Sequence, residues 1–321
     1  MNKALIIGIS GQDGAYLAKY LLSKNYEVHG TSRDADLSNF YKLKRLNIFN
    51  RVTLHSMSLI DFRSVMQTIL QIQPTEIYNL SGQTSVGLSF KQPVETLESI
   101  SFGTLNILEV IRFHNLPVKF YNACSSECFG DTNGKPANED TPFKPRSPYA
   151  VAKATAFWQV SNYREAYNLF ACSGILFNHE SPLRPKRFVT KKIIESACRI
   201  ANGSEEKLTL GNVLIKRDWG WAPEFVEAMF AMLQHNTPDD YVIATGKSIT
   251  LEEFIKKSFD YFNLNYKDYV EYDNSLIRPV DLTNSIGDPS KAKKILNWQP
   301  KYFVDEVIHM MIEDELKHYD L

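Results

Sequence analysis

Residues 4–18 read ALIIGISGQDGAYLA. An apolar run stops at Gly8, glycines recur at Gly11 and Gly14, and a helical pattern begins at Ala15. Glycine admits the positive φ and the close backbone approach of a tight strand-to-helix turn. The helix beyond such a turn points free N–H groups at an anion. Strand, turn and amphipathic helix agree here, so the GxxGxxG spacing predicts a dinucleotide-binding turn, with Ser10, Gln12 and Asp13 among the glycines.

The same alternation continues to about Phe170. Candidate strands are 3–7, 27–31, 51–56, 76–80, 119–123 and 170–176, separated by helical patterns at 15–24, 61–71, 99–113 and 148–167. Six strands linked this way predict an α/β fold, a Rossmann-like doubly wound parallel sheet. After Ser181 the pattern changes to a basic loop, SPLRPKRFVT, a helix at 191–202, and short mixed strands and helices. The expected division is a dinucleotide-binding domain over 1–180 and a smaller α/β lobe over 181–321, interleaved and without a flexible linker. Ligands in such folds sit beyond the carboxyl ends of the strands, where Ser81, Ser125 and Asn178 fall.

Composition excludes several classes. Lys plus Arg number 36 against 37 Asp plus Glu, so no overall field draws nucleic acid or an anionic membrane surface. No stretch approaches the roughly 20 apolar residues of a membrane span. The short apolar run before Gly8 does not resemble a signal-peptide core. Cys124, Cys128, Cys172 and Cys198 have neither CxxC spacing nor neighbouring histidines, so neither a metal nor a disulfide framework is expected, and the setting is a reducing cytoplasm.

The chemistry lies in NACSSECFG and SPYAVAK. Tyr149 and Lys153 are four apart on a predicted helix and so share a face, where an ammonium can lower the phenol's pKa. With Ser125 beside them, Tyr149 can take the proton of a sugar hydroxyl while hydride leaves carbon for a nicotinamide. Glu127 adds a second proton-transfer group, unnecessary for reversible oxidation at one carbon but needed to eliminate water. At the end of the second strand, in HGTSRD, Arg33 offers a planar fork to an adenosine 2′-phosphate and favours NADP, with NAD the alternative.

Longer segments carry a resemblance: EIYNLSGQTSVGLSF, SSECFGD, GILFNHESPLR, FVTKKI, LGNVLIKRDWGWA, DDYVIATG and GDPSKAKKILNW. Over essentially its whole length the chain resembles the GDP-mannose 4,6-dehydratases, extended short-chain dehydrogenase/reductases. The resemblance implies Ser125, Glu127, Tyr149 and Lys153 as catalytic residues. It implies cofactor contacts from Ser58, Leu59, Leu80, Ser81, Gln83, His179 and Arg184. For the GDP-sugar it implies Ser85, Ser126, Asn178, Val189 and Lys192, with Gly211, Arg217, Arg278 and Asp281 toward the nucleotide. It also implies a homo-oligomer, dimer or tetramer.

The chain departs from the common family pattern at named places. Serine stands at 125 for threonine, at 85 for histidine and at 58 for the aspartate of an Asp-Leu pair; aspartate stands at 34 for a second arginine and at 281 for glutamate. Serine at 85 would enlarge the sugar pocket and admit GDP-manno-heptose. Other readings are a C4 epimerase or another keto-sugar synthase of this fold, and a non-catalytic dinucleotide-binding module. The intact Ser125, Tyr149 and Lys153 argue against the last.

Overall fold

The computed structural model describes residues 2–319. Strands β1 (Lys3–Ile7), β2 (Glu27–Ser32), β3 (Thr53–Ser56), β4 (Glu76–Asn79), β5 (Lys119–Ser125) and β6 (Ala171–Leu176) lie side by side in the order 6-5-4-1-2-3, and Tyr241–Ile243 adds a seventh strand outside β6. Every neighbouring pair is parallel. Parallel strands are covered on both faces, which is why β1 reads as an uninterrupted apolar run. Side chains alternate across it. Ala4 and Ile6 pack with Leu17 and Leu21 of helix α1 (Gln12–Ser23) and with Phe225 and Met229, while Leu5 and Ile7 pack with Val65, Ile69, Ile107 and Ile111 on the opposite face.

The boundaries differ from expectation where backbone chemistry overrides periodicity. Helix α1 starts at Gln12 rather than Ala15, with Gly11 as its N-cap, so the glycine turn itself winds into the helix. Residues 49–51 form a 3-10 turn and β3 begins only at Thr53. The helix expected from Ser99 opens as a π-helical stretch, Glu98–Phe102, before the α-helix Gly103–Phe113.

The chain leaves the sheet after β6 and then returns to it. Helix Ala222–Gln234 packs against α1, and Tyr241–Ile243 pairs with β6. The rest of the second half builds small sheets. Lys216–Arg217 lies between Ile249–Thr250 and Asn284–Ser285, Leu208–Leu210 pairs with Val270–Tyr272, and Trp219–Trp221 pairs with Asn178–Glu180. Helices Val189–Ala201, Leu251–Asp260 and Val304–Leu316 close over a separate core containing Ile193, Ala197, Trp219, Phe254, Ile308 and Met311. Among the described residues no helix is long and apolar enough to cross a membrane.

Candidate active site

The register aligns the carboxyl ends of the central strands: Ile7 pairs with Asn79, Asn79 with Asn122, and Ser125 with Leu176. Beyond that edge lies a cavity of about 410 Å³, walled on one side by the sheet and on the other by the smaller lobe.

At the cofactor end, Gly8 has φ +91°, and a Cβ there would meet the Leu80 carbonyl oxygen at 2.9 Å. A Cβ on Gly14 would strike the Gly8 oxygen at 2.5 Å, so that glycine lets α1 pack onto the turn. Gly11 is different. Its Cβ would meet only the Gly8 oxygen, at 3.2 Å, leaving the backbone open to a ligand beside the exposed Ser10. One glycine for the turn, one for approach and one for packing is the arrangement a dinucleotide diphosphate requires, so the residues present fit such a cofactor.

A buried network backs this turn. The two ring nitrogens of His179 face only acceptors: Nδ1 lies 2.7 Å from the Phe177 carbonyl and Nε2 lies 2.9 Å from Asp13. Both must donate, which makes the ring an imidazolium. Burial works against both charges, but their attraction and shared hydrogen bond win, raising His179 above its ordinary pKa and holding Asp13 at about 2. Gln12 is inside this network rather than facing the cleft, donating to the His179 carbonyl (3.2 Å) and accepting from Ser181 (2.7 Å). Arg184 pairs with the buried Glu180 at 3.1 Å and stacks on Phe188.

At the chemical end, Ser125 ends β5, and its hydroxyl accepts from the Glu127 N–H at 3.3 Å, which caps the 3-10 turn Ser126–Phe129. Tyr149 and Lys153 come from helix Pro148–Tyr167, whose N-cap is Ser147. The Lys153 ammonium donates to the Ala123 carbonyl at 2.7 Å and lies 6.0 Å from the centre of the Tyr149 ring. Burial raises the Tyr149 phenol, and hydrogen bonding with Ser125 offsets only part of the rise. Lys153 is lowered, again chiefly by burial. The sequence expectation that the ammonium would lower the phenol does not hold here: desolvation sets the direction, the lowering influence is Ser125, and the Lys153 ammonium is spent on the Ala123 carbonyl. Glu127 is partly open to the cleft yet surrounded deeply enough that burial raises its carboxyl, while Arg217 and Arg278 pull it down.

At the far end, Arg217 is buried and donates to Asp281 at 2.8 Å and to the Leu282 carbonyl at 2.8 Å. Arg278 lies 3.6 Å from the same carboxylate. Lys192, exposed in the first turn of its helix, donates to the Thr209 carbonyl at 2.6 Å. Gly211 allows the Leu276 backbone to within 3.1 Å of where its Cβ would stand, drawing the Arg278 segment over the cleft. Ser126, Asn178 and Val189 line the same cavity. So does Ser85, whose hydroxyl is occupied in accepting from the Leu88 N–H at 3.2 Å.

Other expected cofactor residues stand outside the cavity wall. Arg33 is exposed beyond β2. Ser58 donates its N–H to Ser64, Leu59 packs against Gly103, and Ser81 and Gln83 bond locally to Asn79 and Ser85. Sequence reasoning missed Arg187, Phe188 and Trp219, all of which line the cavity. The density of cations in SPLRPKRFVT was the available signal for Arg187. Cys124 lines the cavity and Cys128 lies behind it, their sulfurs 3.6 Å apart, and all four cysteines are free thiols.

A family model described as GDP-mannose 4,6 dehydratase matches residues 5–311. Among similar proteins, GDP-mannose 4,6 dehydratase 2 of Arabidopsis thaliana is 47% identical, covering 98% of this chain and 87% of that protein. The Homo sapiens GDP-mannose 4,6 dehydratase is 42% identical over 98% and 92%. Among solved structures, dTDP-glucose 4,6-dehydratase from Bacillus anthracis in complex with NAD superposes with a TM-score of 0.87 at 18% identity, covering 100% of this chain and 98% of that one. RMD from Pseudomonas aeruginosa complexed with NADPH superposes with a TM-score of 0.81 at 20% identity, over 99% and 100%. At such identities these two speak to the fold.

Proposed function

The chain belongs to the GDP-mannose 4,6-dehydratase family, and from that premise we propose how its own residues divide the work. The reaction oxidises GDP-mannose at C4, eliminates water across C5 and C6, and leaves GDP-4-keto-6-deoxymannose. A nicotinamide dinucleotide, when bound, accepts hydride from C4 and returns it to C6.

The observation that carries the assignment is a carboxyl and a phenol facing one cavity, with Ser125 lining the same wall and its hydroxyl capping the Glu127 backbone. As phenolate, a form that burial opposes and hydrogen bonding from Ser125 favours, Tyr149 takes the C4 hydroxyl proton. Oxidation at C4 makes the C5 proton acidic. Glu127 removes it and protonates the departing C6 hydroxyl, which leaves as water, a task suited to a carboxyl whose pKa burial has raised; when hydride returns to C6, the proton that Tyr149 took up goes to C5, so both groups end as they began. Lys153 anchors the tyrosine helix to the end of β5 through the Ala123 carbonyl. Arg217, Arg278 and Lys192 supply the cations that a diphosphate needs in a protein with no net excess of them.

The dinucleotide is NADP in this reading. The support is local: Asp34 spends one carboxylate oxygen on the N–H groups of Asp36 and Leu37 (3.0 and 2.9 Å), so it is turned into its own loop while Arg33 is left free to meet a 2′-phosphate. Mass spectrometry of released dinucleotide tests this, and NAD alone would contradict it. Exposed Val94, Phe102, Val151 and Trp158 on adjoining helices support a homo-oligomer, and the four free thiols support a reducing, cytoplasmic setting. Because Ser85 is short and its hydroxyl is engaged, the sugar end also suits a GDP-manno-heptose. The deciding assay mixes the protein with each GDP-sugar and follows the alkaline absorbance of a 4-keto product. No product from GDP-mannose would contradict the primary reading.

A further inference from the structure

A buried carboxylate beside the nucleotide arginine takes no part in the mechanism above. Asp218 follows Arg217 directly in KRDWG and is fully buried. One of its oxygens accepts from the Thr245 N–H at 2.9 Å and from the Thr245 hydroxyl at 2.7 Å. The other accepts from the Gly246 N–H at 2.9 Å and, at a longer 3.5 Å, from the Gly287 N–H. Every donor that reaches it among the described residues is neutral. Burial pushes the carboxyl up to about 6, and the bonds from Thr245, Gly246 and Gly287 hold it against a larger rise. Hydrogen bonds to an ionised acceptor are roughly twice as strong as neutral ones, so these contacts tie together segments that lie far apart in sequence.

Those segments flank the strand that carries Arg217. Thr245 and Gly246 lie between Tyr241–Ile243, the outer strand of the large sheet, and Ile249–Thr250, while Gly287 follows Asn284–Ser285. Ile249–Thr250 and Asn284–Ser285 pair with Lys216–Arg217 from either side, each through only two residues. Ladders that short are marginal on their own. Yet the Arg217 guanidinium depends on them, because it donates to Asp281 and to the Leu282 carbonyl in the chain running into Asn284. Asp218 supplies the missing restraint by gripping both flanking segments one residue beyond the arginine. Gly287 permits the approach: a Cβ there would stand 2.4 Å from the Ala244 Cβ and 2.8 Å from the Phe177 ring. Because Tyr241–Ile243 pairs with β6, and β6 with β5, the same grip ties the nucleotide end to the strand that ends in Ser125.

We infer that Asp218 is a positioning residue for the GDP-sugar, holding the Arg217 guanidinium in place for the diphosphate without touching the ligand. This rests on the reading of Arg217 as a diphosphate cation and deepens it. Arg217 and Trp219, its two chain neighbours, line the cavity and Asp218 does not, so its effect on a ligand has to pass through the strand.

The test is calorimetric titration with GDP alongside thermal denaturation. The proteins are the parent, Asp218→Asn, Thr245→Val, Thr245→Ser, Arg217→Ala and the double variant of Asp218→Asn with Arg217→Ala. Glu224→Gln is the stability control: a buried carboxylate that also accepts backbone N–H groups, from Lys301 and Tyr302, but lies outside the cavity wall. Asp218→Asn sets an amide NH2 against N–H donors and is expected to weaken GDP binding roughly tenfold. Thr245→Val, a milder change that carries the test where Asp218→Asn does not fold, should cost roughly threefold, and Thr245→Ser, which keeps the hydroxyl, should bind as the parent does. Added to Arg217→Ala, Asp218→Asn is expected to change GDP affinity by less than about twofold while still lowering Tm, the non-additivity of a residue that acts through its neighbour. Three results each overturn the positioning role: losses that multiply in the double variant, Asp218→Asn and Thr245→Val proteins that both bind GDP within about twofold of the parent, or a Glu224→Gln protein that loses as much affinity as Asp218→Asn. An Arg217→Ala protein with the parent's affinity contradicts the diphosphate reading itself, so the two failures are distinguishable.

Discussion

The two sides of the cleft are built differently. The sheet side places its chemistry at the ends of long, fully covered elements: Ser125 and Glu127 follow a seven-residue strand, and Tyr149 and Lys153 sit near the start of a twenty-residue helix. The smaller lobe holds Arg217 on a two-residue strand, and Arg278 falls between a 3-10 turn and the short strand Asn284–Ser285. Bond-making groups need fixed geometry, which long packed elements supply. A nucleotide diphosphate needs charge at the right distance, which short strands braced by ion pairs can provide.

The largest expected effect is on the rigid side. Tyr149→Phe removes the base for the first step and should lower kcat by about 10²–10⁴-fold with KM for the GDP-sugar little changed; steady-state kinetics checks it. On the other side, Arg217→Ala leaves the half-buried Asp281 without its main partner. Breaking a fully buried pair costs about 3 kcal/mol; with Arg278 still beside the half-buried Asp281, chemical denaturation should show a smaller loss and KM should rise. If kcat fell instead, the division between the two sides would fail.

A smaller effect is expected at Ser125. Ser125→Ala removes one hydrogen bond to the phenol and should cost about tenfold in kcat, with Ser125→Thr restoring it. The smallest is a pH shift that crosses the cleft. Burial raises Glu127, and Arg217 and Arg278 lower it. Arg278→Gln removes part of that lowering, so the carboxylate form is reached only at higher pH and the acidic limb of the kcat profile should move upward. A limb moving downward would contradict the coupling.

The Asp13–His179 pair links the two sides as well, and its sign can be worked out. His179 is raised, so its stabilisation is complete below the unfolded imidazole's ordinary value and fades as pH climbs through the higher folded one. Asp13 is lowered to about 2, so its stabilisation is present above the unfolded carboxyl's value and is lost as pH falls through about 2. Between those limits the turn and the Asn178–Glu180 strand are held together.

The sheet side was largely legible because its signals are local. The run 4–18 contains strand, turn and helix in one stretch, and the Tyr149–Lys153 spacing places both on one helical face without knowledge of anything distant. The start of α1 was read late because apolar periodicity begins only at Ala15, whereas the cap is backbone geometry at Gly11. The seventh strand, Tyr241–Ile243, went unread: three residues carry too little pattern, and its pairing with β6 follows a long excursion. Arg217 is held by Asp281, sixty-four positions away, a partnership that leaves no mark in local spacing. The upward shift of Tyr149 was also invisible, because desolvation depends on what the whole fold packs around the ring.

The central claim is that oxidation and elimination are run by different groups in one cavity, the phenol and the carboxyl. Glu127→Gln mixed with GDP-mannose, with nicotinamide reduction followed by absorbance and the sugar products by NMR, tests it most directly. The predicted result is that the cofactor still becomes reduced while no 6-deoxy sugar forms. A variant that makes the keto-deoxy product at the parent rate, or that loses oxidation together with elimination, would contradict it.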